Sequence, residues 1–126
     1  MKDVFLKAQN QASRDLRDSD PNRLAFHLMP PTGWLNDPNG LCQIGDEYHI
    51  FYQYAPEDPN GSSLKGWGHY TTRDFRTYKE EDIPLLPGSE IDKNGAYSGS
   101  AFQDGDTTHF FYTGNGKLEG DHDYIN

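Results

Sequence analysis

The sequence has little of what several classes of protein require. It contains one cysteine, Cys42, which excludes an internal disulfide and any metal site built from several cysteines. Cys42 lies in an apolar segment, so we interpret it as a small buried side chain rather than a reactive thiol. Basic residues number 11 against 20 acidic ones, giving a formal net charge of −9. This balance argues against a nucleic acid and against an anionic membrane as partners.

Long hydrophobic runs are also missing. Residues 1–7 regain charge before an apolar run can form, so the sequence predicts neither a signal peptide nor a membrane span, and we expect a cytoplasmic protein. Asn60-Gly61-Ser62 matches a glycosylation sequon, but without secretion it indicates only a turn. The histidines lack metal-ligand spacing and no acidic run fits a calcium loop, so we expect no metal and no cofactor.

Aromatic residues are what the sequence has in quantity. The 8 Tyr, 7 Phe and 2 Trp make up 13% of the 126 residues, and such side chains suit the half-buried surfaces of sheets. We therefore predict an all-β domain over residues 23–126. A weak helical period at Val4, Ala8, Ala12 and Leu16 predicts one short helix, in an N-terminal leader over residues 1–22.

Two hairpins of similar sequence indicate a repeated unit. The pattern of strand, turn and strand in residues 41–54 returns in residues 100–113, where the matching residues are His49 with His109, Phe51 with Phe111 and Tyr52 with Tyr112. Recurring β units of this kind are typical of propeller blades, which take roughly 40–50 residues each, so the chain has room for about two blades. Two blades cannot close a ring. We expect the open edge to be covered by the rest of a longer propeller, or by self-association.

Residues 34–40 are the most informative stretch. Pro38 fixes its own φ and Asn39-Gly40 tolerates positive φ, so we predict a sharp turn that presents the Asp37 carboxylate beside the exposed ring of Trp34. The same five residues, 36–40, also make a good turn with no function, and only their context decides between the two interpretations.

The context suggests chemistry on a sugar. Retaining glycosidases use one carboxylate as nucleophile and another as acid/base, and Asp37 could be the first of them. Asn36 is a natural hydrogen-bond donor to a sugar hydroxyl. Gln53 places an amide in a row of aromatic side chains on one face of its strand. This amide either binds a sugar hydroxyl or is a solvated side chain at a sheet edge.

Four motifs occur in the order and approximate spacing of glycoside hydrolase family 32, which the chain therefore resembles over residues 27–114. They are Trp34-Leu35-Asn36-Asp37-Pro38-Asn39-Gly40, Phe51-Tyr52-Gln53-Tyr54, Trp67-Gly68-His69 and Tyr97-Ser98-Gly99-Ser100. The family includes invertases, sucrose-6-phosphate hydrolases, levanases and inulinases. The resemblance implies a five-bladed β-propeller that cleaves β-fructofuranosides with retention, of which this chain is the front part.

The resemblance also implies roles for individual residues. Asp37 would be the nucleophile that attacks the fructosyl unit, and His69 would be structural. The remaining site residues would contact the fructoside substrate, namely Asn36, Gln53, Trp67, Ser98 or Ser100, and Trp34 as an apolar surface.

The chain departs from the family pattern in two ways. Many members carry a tryptophan in the loop that corresponds to residues 59–66, and this loop has none. The family's Arg-Asp-Pro aspartate and its Glu-Cys glutamate, the acid/base, have no counterpart here. We therefore expect the isolated chain to be inactive, although it derives from a hydrolase of sucrose or sucrose 6-phosphate. The alternatives are a non-catalytic carbohydrate-binding module or degenerate relative, and a fructosyltransferase.

Overall fold

Two antiparallel sheets and two short helices make up the described part of the fold. The structure is a computed structural model and describes residues 2–117 and 124–125. The elements are α1 (Lys2–Ala8), α2 (Gln11–Ser19), β1 (Trp34–Ile44), β2 (Glu47–Ala55), β3 (Gly66–Thr72), β4 (Lys79–Glu80), β5 (Ala96–Asp104), β6 (Thr107–Asn115) and β7 (Tyr124–Ile125). None of the helices in this described part is long and apolar enough to cross a membrane.

The first sheet has the strand order β1-β2-β3-β4 and carries a core of aromatic residues. Tyr52 and Tyr54 of β2 and Tyr70 of β3 are buried on one face, and α1 covers them with Phe5 and Ala8. The edge of the Phe5 ring meets Tyr54 at a centroid distance of 6.2 Å. The prediction of an all-β domain with a small helical part is confirmed.

The prediction of a single N-terminal helix is wrong in detail. The helix is broken before Asn10, whose side chain accepts a hydrogen bond from the backbone N of Ser13 at 2.9 Å and caps α2. The predicted stripe does not continue across the break, and Leu16 is 73% exposed. Phe5, which the predicted stripe omitted, is the main buried residue of α1.

An ion pair attaches α2 to the first sheet. Glu80 begins a run of three acidic residues, yet its side chain is only 9% exposed. Its Oε2 lies 2.5 Å from Nη1 of Arg17. Both helices therefore contact the sheet, and the division into a leader over residues 1–22 and a separate β domain stays a prediction.

The predicted sharp turn at residues 36–40 is wrong, because β1 runs through this segment. The pairing of β1 with β2 shifts register between Leu35 and Pro38 and again between Asn39 and Cys42. Proline is tolerated at such irregularities and on an edge strand, which β1 is. Gly40 takes the positive φ, 51°, in this bulged stretch. The turn-forming residues thus bend a strand instead of ending it.

The second sheet has the order β5-β6-β7, and its first hairpin repeats that of β1 and β2. In each hairpin a glutamine amide donates to a turn carbonyl at 2.9 Å, from Gln43 to Gly45 and from Gln103 to Gly105. The two predicted hairpins are confirmed.

The two sheets pack together through β1 and β5, with Phe51, Trp67 and Ala96 buried between them. Phe110 of β6 meets Phe51 edge to face at 5.0 Å from this side. Phe111, the next residue along β6, is 62% exposed. The described residues form no closed ring of sheets, and the number of blades stays a prediction.

Candidate active site

The site is built where the exposed side chains of β1 and β5 meet. Asp37 and Ser98 are both exposed, and Ser98 Oγ donates a hydrogen bond to Asp37 Oδ2 at 2.9 Å. The structure therefore brings together two residues that the motifs placed far apart in sequence. Asn36 is exposed next to Asp37, and Ser100 is exposed two residues beyond Ser98, which places it on the same face of β5.

Hydrogen bonds from two buried side chains attach β5 to the first sheet next to this pair. Gln53 Nε2 donates to the carbonyl O of Ala96 at 3.0 Å, and Trp67 Nε1 donates to that of Tyr97 at 2.9 Å. Together with the bond from Ser98 to Asp37, three consecutive residues of β5 are each bonded to a side chain of the first sheet. We call these three contacts the inter-sheet seam.

Gln53 and Trp67 lie inside the seam rather than on the open surface. Gln53 is 3% exposed and Trp67 is 1% exposed. The interpretation of Gln53 as a solvated side chain at a sheet edge is therefore wrong, since β2 lies inside the sheet and its amide is buried. A sugar contact by either residue stays a prediction. In the described chain the accessible polar groups of the site are Asn36, Asp37, Ser98 and Ser100.

Asn39 is a site residue that the sequence did not reveal as one. It is 1% exposed and follows the exposed Asp37 by two residues in β1. With its amide oxygen turned toward Gln53, it accepts from Gln53 Nε2 at 3.1 Å and from Gln53 N at 3.3 Å, and its amide nitrogen donates to Pro38 O at 3.2 Å. The opposite orientation gives one long contact, 3.4 Å from Gly99 N, so we assign the first. The sequence offered one signal for it, an amide side chain within residues 36–40. Because that segment was predicted to be a turn, Asn39 was interpreted as a turn residue.

Trp34 lies at the rim of the site under a loop. The ammonium of Lys65 is 5.3 Å from the centroid of the Trp34 ring and donates to Gly61 O at 2.6 Å. A Cβ on Gly61 would lie 2.5 Å from the Trp34 ring, so the loop backbone packs directly on it. The loop therefore covers one part of the Trp34 indole. A contact between Trp34 and a sugar stays a prediction.

His69 packs within the first sheet, against residues of β2, and its structural role stays a prediction. Its Nε2 lies 3.1 Å from His49 Nδ1, and its ring stacks on Phe51 at a centroid distance of 4.1 Å. Burial, followed by the neighbouring His49, lowers the pKa of His69 to about 4. For Cys42, burial raises the pKa of the thiol, which fits an unreactive side chain. Within the described ranges no three His, Cys, Asp or Glu side chains are arranged to hold a metal ion.

Comparison with known proteins gives these residues a family. Residues 27–125 match the sequence profile described as "Glycosyl hydrolases family 32 N-terminal domain". The chain is 50% identical over 100 residues to a sucrose-6-phosphate hydrolase of Bacillus subtilis, covering 79% of this chain and 21% of that protein. It is 42% identical over 94 residues to a raffinose invertase of Escherichia coli, covering 75% and 20%.

A solved structure shares the fold. The sucrose-6-phosphate hydrolase of Lactobacillus gasseri superposes with a TM-score of 0.79 at 32% identity, covering 99% of this chain and 24% of that one. The two sheets are thus those of a family 32 N-terminal β-propeller. The chain spans about a fifth of the length of the curated relatives, 21% and 20% in the two cases above. Because the profile match extends over most of its length, the chain belongs to glycosyl hydrolase family 32.

Proposed function

We propose that this chain is the front part of the catalytic domain of a retaining β-fructofuranosidase that hydrolyses sucrose or sucrose 6-phosphate. The observation that carries the proposal is the exposed Asp37 carboxylate, oriented by Ser98 on the seam between two sheets. The names of the relatives, a sucrose-6-phosphate hydrolase and a raffinose invertase, support the substrate class.

Asp37 is the nucleophile in this mechanism. The hydroxyl of Ser98 holds Oδ2, so that Oδ1 is free to attack the anomeric carbon of the fructosyl unit. The bond from this carbon to the bridging oxygen breaks, and a carboxylic acid from the remainder of the enzyme protonates the departing sugar. Water then attacks the covalent fructosyl intermediate and gives a proton to the same group, which releases fructose with retained configuration and frees Asp37.

Binding of the fructosyl hydroxyls is assigned to the accessible polar groups around Asp37. Asn36 and Ser100 are both exposed on the strands that carry the Asp37 and Ser98 pair. Each provides hydrogen-bonding atoms that a sugar ring can use without moving the backbone.

The 126-residue chain on its own is inactive under this proposal. It lacks the acid/base glutamate and the stabilising aspartate of the family motifs, and general acid/base assistance alone is worth about 10²–10⁴-fold in rate. The remainder of the propeller also supplies the partner surface for the second sheet, where Phe102 is 60% exposed and Phe111 is 62% exposed. Self-association of the chain would cover the same face.

We also propose a cytoplasmic location for the protein, and this location favours sucrose 6-phosphate over sucrose as the substrate. Cleavage of the two sugars by the full-length enzyme tests this preference. Equal kcat/KM values for both sugars would remove it.

The deciding experiment measures products from concentrated sucrose with the full-length protein and its Asp37→Ala variant. We expect equal glucose and fructose from the wild type and a loss of at least about 10⁴-fold in the variant. Asp104→Asn, at the opposite end of β5, is the control for an exposed carboxylate outside the site. Oligofructans as the main products would indicate transfer, and sugar binding without turnover would indicate a binding module. Full activity of Asp37→Ala would overturn the proposal.

A further inference from the structure

We propose that Asn39 is a positioning residue that holds the Asp37 carboxylate in register with Ser98, and that it acts through the buried amide of Gln53. The proposal rests on the function proposed above and adds to it the residue that sets the geometry of the nucleophile.

The backbone ladder alone cannot fix the segment of β1 that carries Asp37. Its pairing with β2 is irregular on both sides of residues 38 and 39. Between these irregularities the paired residues are Pro38 with Tyr52 and Asn39 with Phe51, and proline has no N–H to contribute to the ladder. A side chain must therefore supply the restraint that the ladder lacks here.

Asn39 supplies that restraint. Its amide oxygen accepts from both the side chain and the backbone of Gln53, at 3.1 and 3.3 Å, and its amide nitrogen donates to Pro38 O at 3.2 Å. Asn39 is 1% exposed, so no water competes for these bonds. Buried amides that are hydrogen-bonded in this way fix a single local arrangement.

Gln53 transmits the restraint to the second sheet. One hydrogen of its Nε2 goes to Asn39 at 3.1 Å and the other goes to the carbonyl of Ala96 at 3.0 Å. Ala96 lies two residues before Ser98, whose hydroxyl returns to Asp37. The contacts thus form a closed circuit from Asp37 along β1 to Asn39, across to Gln53 and Ala96, and along β5 to Ser98.

This circuit explains how an exposed pair of side chains can keep a defined geometry. Asp37 and Ser98 face solvent, where a lone hydrogen bond contributes little. Their separation of 2.9 Å is set from below by the buried amides. A misplacement of a nucleophile by about 1 Å can lower a rate by about 10²-fold, which is the size of effect expected here.

The test uses Asn39→Ala, Gln53→Ala and the double variant of the full-length enzyme. The active fraction is counted by trapping the covalent fructosyl intermediate, so that kcat refers to folded sites only. We expect Asn39→Ala to lower this kcat by about 10²-fold with KM changed by less than about threefold. The double variant should lose less than the product of the single losses, because both residues act in one circuit.

Two further variants separate positioning from stability. Thr71→Val removes a buried hydroxyl that bonds to Glu81, at the opposite end of β3 from Trp67, and should lower the melting temperature without changing kcat per trapped site. Asn39→Asp keeps the shape and the acceptor for Gln53, so it should lose less activity than Asn39→Ala; it also serves if the alanine variant fails to fold.

Several outcomes would overturn the inference. A normal kcat per trapped site in Asn39→Ala, with only a lower melting temperature, would show a merely structural residue, and fully multiplicative losses would exclude Gln53 as the route. If the wild type itself hydrolyses no fructoside, the proposed function fails. A crystal structure of Asn39→Ala then decides the geometric claim, because an unchanged bond between Asp37 and Ser98 would disprove it.

Discussion

The hydroxyl of Ser98 donates to Oδ2 of Asp37 at 2.9 Å and joins residues that are 61 positions apart in the chain. This contact exists only when the second sheet is docked on the first. The nucleophile proposed for the enzyme is therefore oriented by a neighbouring sheet, and its geometry depends on how the two sheets pack.

Removal of the Ser98 hydroxyl should weaken catalysis without abolishing it. A hydrogen bond to a charged group is worth about 1.5–3 kcal/mol, and exposure of this pair places it at the low end, so Ser98→Ala should lower kcat/KM on sucrose about tenfold. Ser98→Thr keeps a hydroxyl and should lose less. Steady-state kinetics of the full-length enzyme measure both, and wild-type kinetics in Ser98→Ala would contradict a role for this bond.

Gly99 should be the glycine of this region that cannot be replaced. A Cβ there would lie 2.0 Å from the carbonyl O of Phe111 and 2.7 Å from the Cα of Tyr112, which are backbone atoms that cannot move aside. Gly99→Ala should therefore displace β5 from β6, with a loss of several kcal/mol of stability and of the contact between Ser98 and Asp37.

Gly105→Ala is the matched control for this change. Gly105 has open space around its Cα and a φ of 56°, so alanine there meets only backbone strain of about 1 kcal/mol. Thermal unfolding should show a much larger drop in melting temperature for Gly99→Ala. Equal drops for the two variants would mean that β5 can shift freely.

Both hairpins can be predicted from the sequence, because short-range signals encode them. The two hairpins are encoded by short turns at Gly45-Asp46 and Gly105-Asp106, whose glycines take positive φ. These turn signals depend only on neighbouring residues. The repetition of one hairpin as the other is therefore visible in the sequence itself.

The wrong predictions concern long-range packing. The interpretation of Gln53 as a solvated side chain at a sheet edge is wrong, because its buried amide donates to Ala96, which lies far away in sequence. The burial of Trp67 likewise involves a distant residue, Tyr97. Residues 36–40 have the composition of a turn, yet cross-strand pairing with β2 keeps them in a strand. In each case tertiary contacts override the local conformational preference of the residues.

Acid should destabilise the packing of His49 against His69. The pKa of His69 is about 4 in the folded protein, below its ordinary 6.5, because of burial and then of His49; Glu81 raises it and Lys79 lowers it by smaller amounts. Between these two pH values the unfolded chain binds a proton that the folded chain does not, so stability is retained above pH 6.5 and falls as the pH drops toward 4.

Melting temperatures at pH 7 and pH 5 test this sign. After allowance for solvent screening, we expect a loss of about 1 kcal/mol from this group, and a weaker pH dependence in His69→Gln. His109→Asn is the control, since His109 is the exposed counterpart of His49 in the second hairpin. An equally steep pH dependence in His69→Gln would assign the effect to other groups.

Phe5→Ala tests whether the N-terminal helices form one folding unit with the first sheet. Phe5 is 2% exposed against Tyr54, and deletion of a buried phenylalanine ring typically costs about 3–5 kcal/mol. Leu6→Ala in the same helix removes a side chain that is 60% exposed and should change stability by less than about 0.5 kcal/mol. A large difference in melting temperature between the two variants would make α1 part of the core of the first sheet. Equal, small changes would instead support the predicted division into an N-terminal leader over residues 1–22 and a separate β domain.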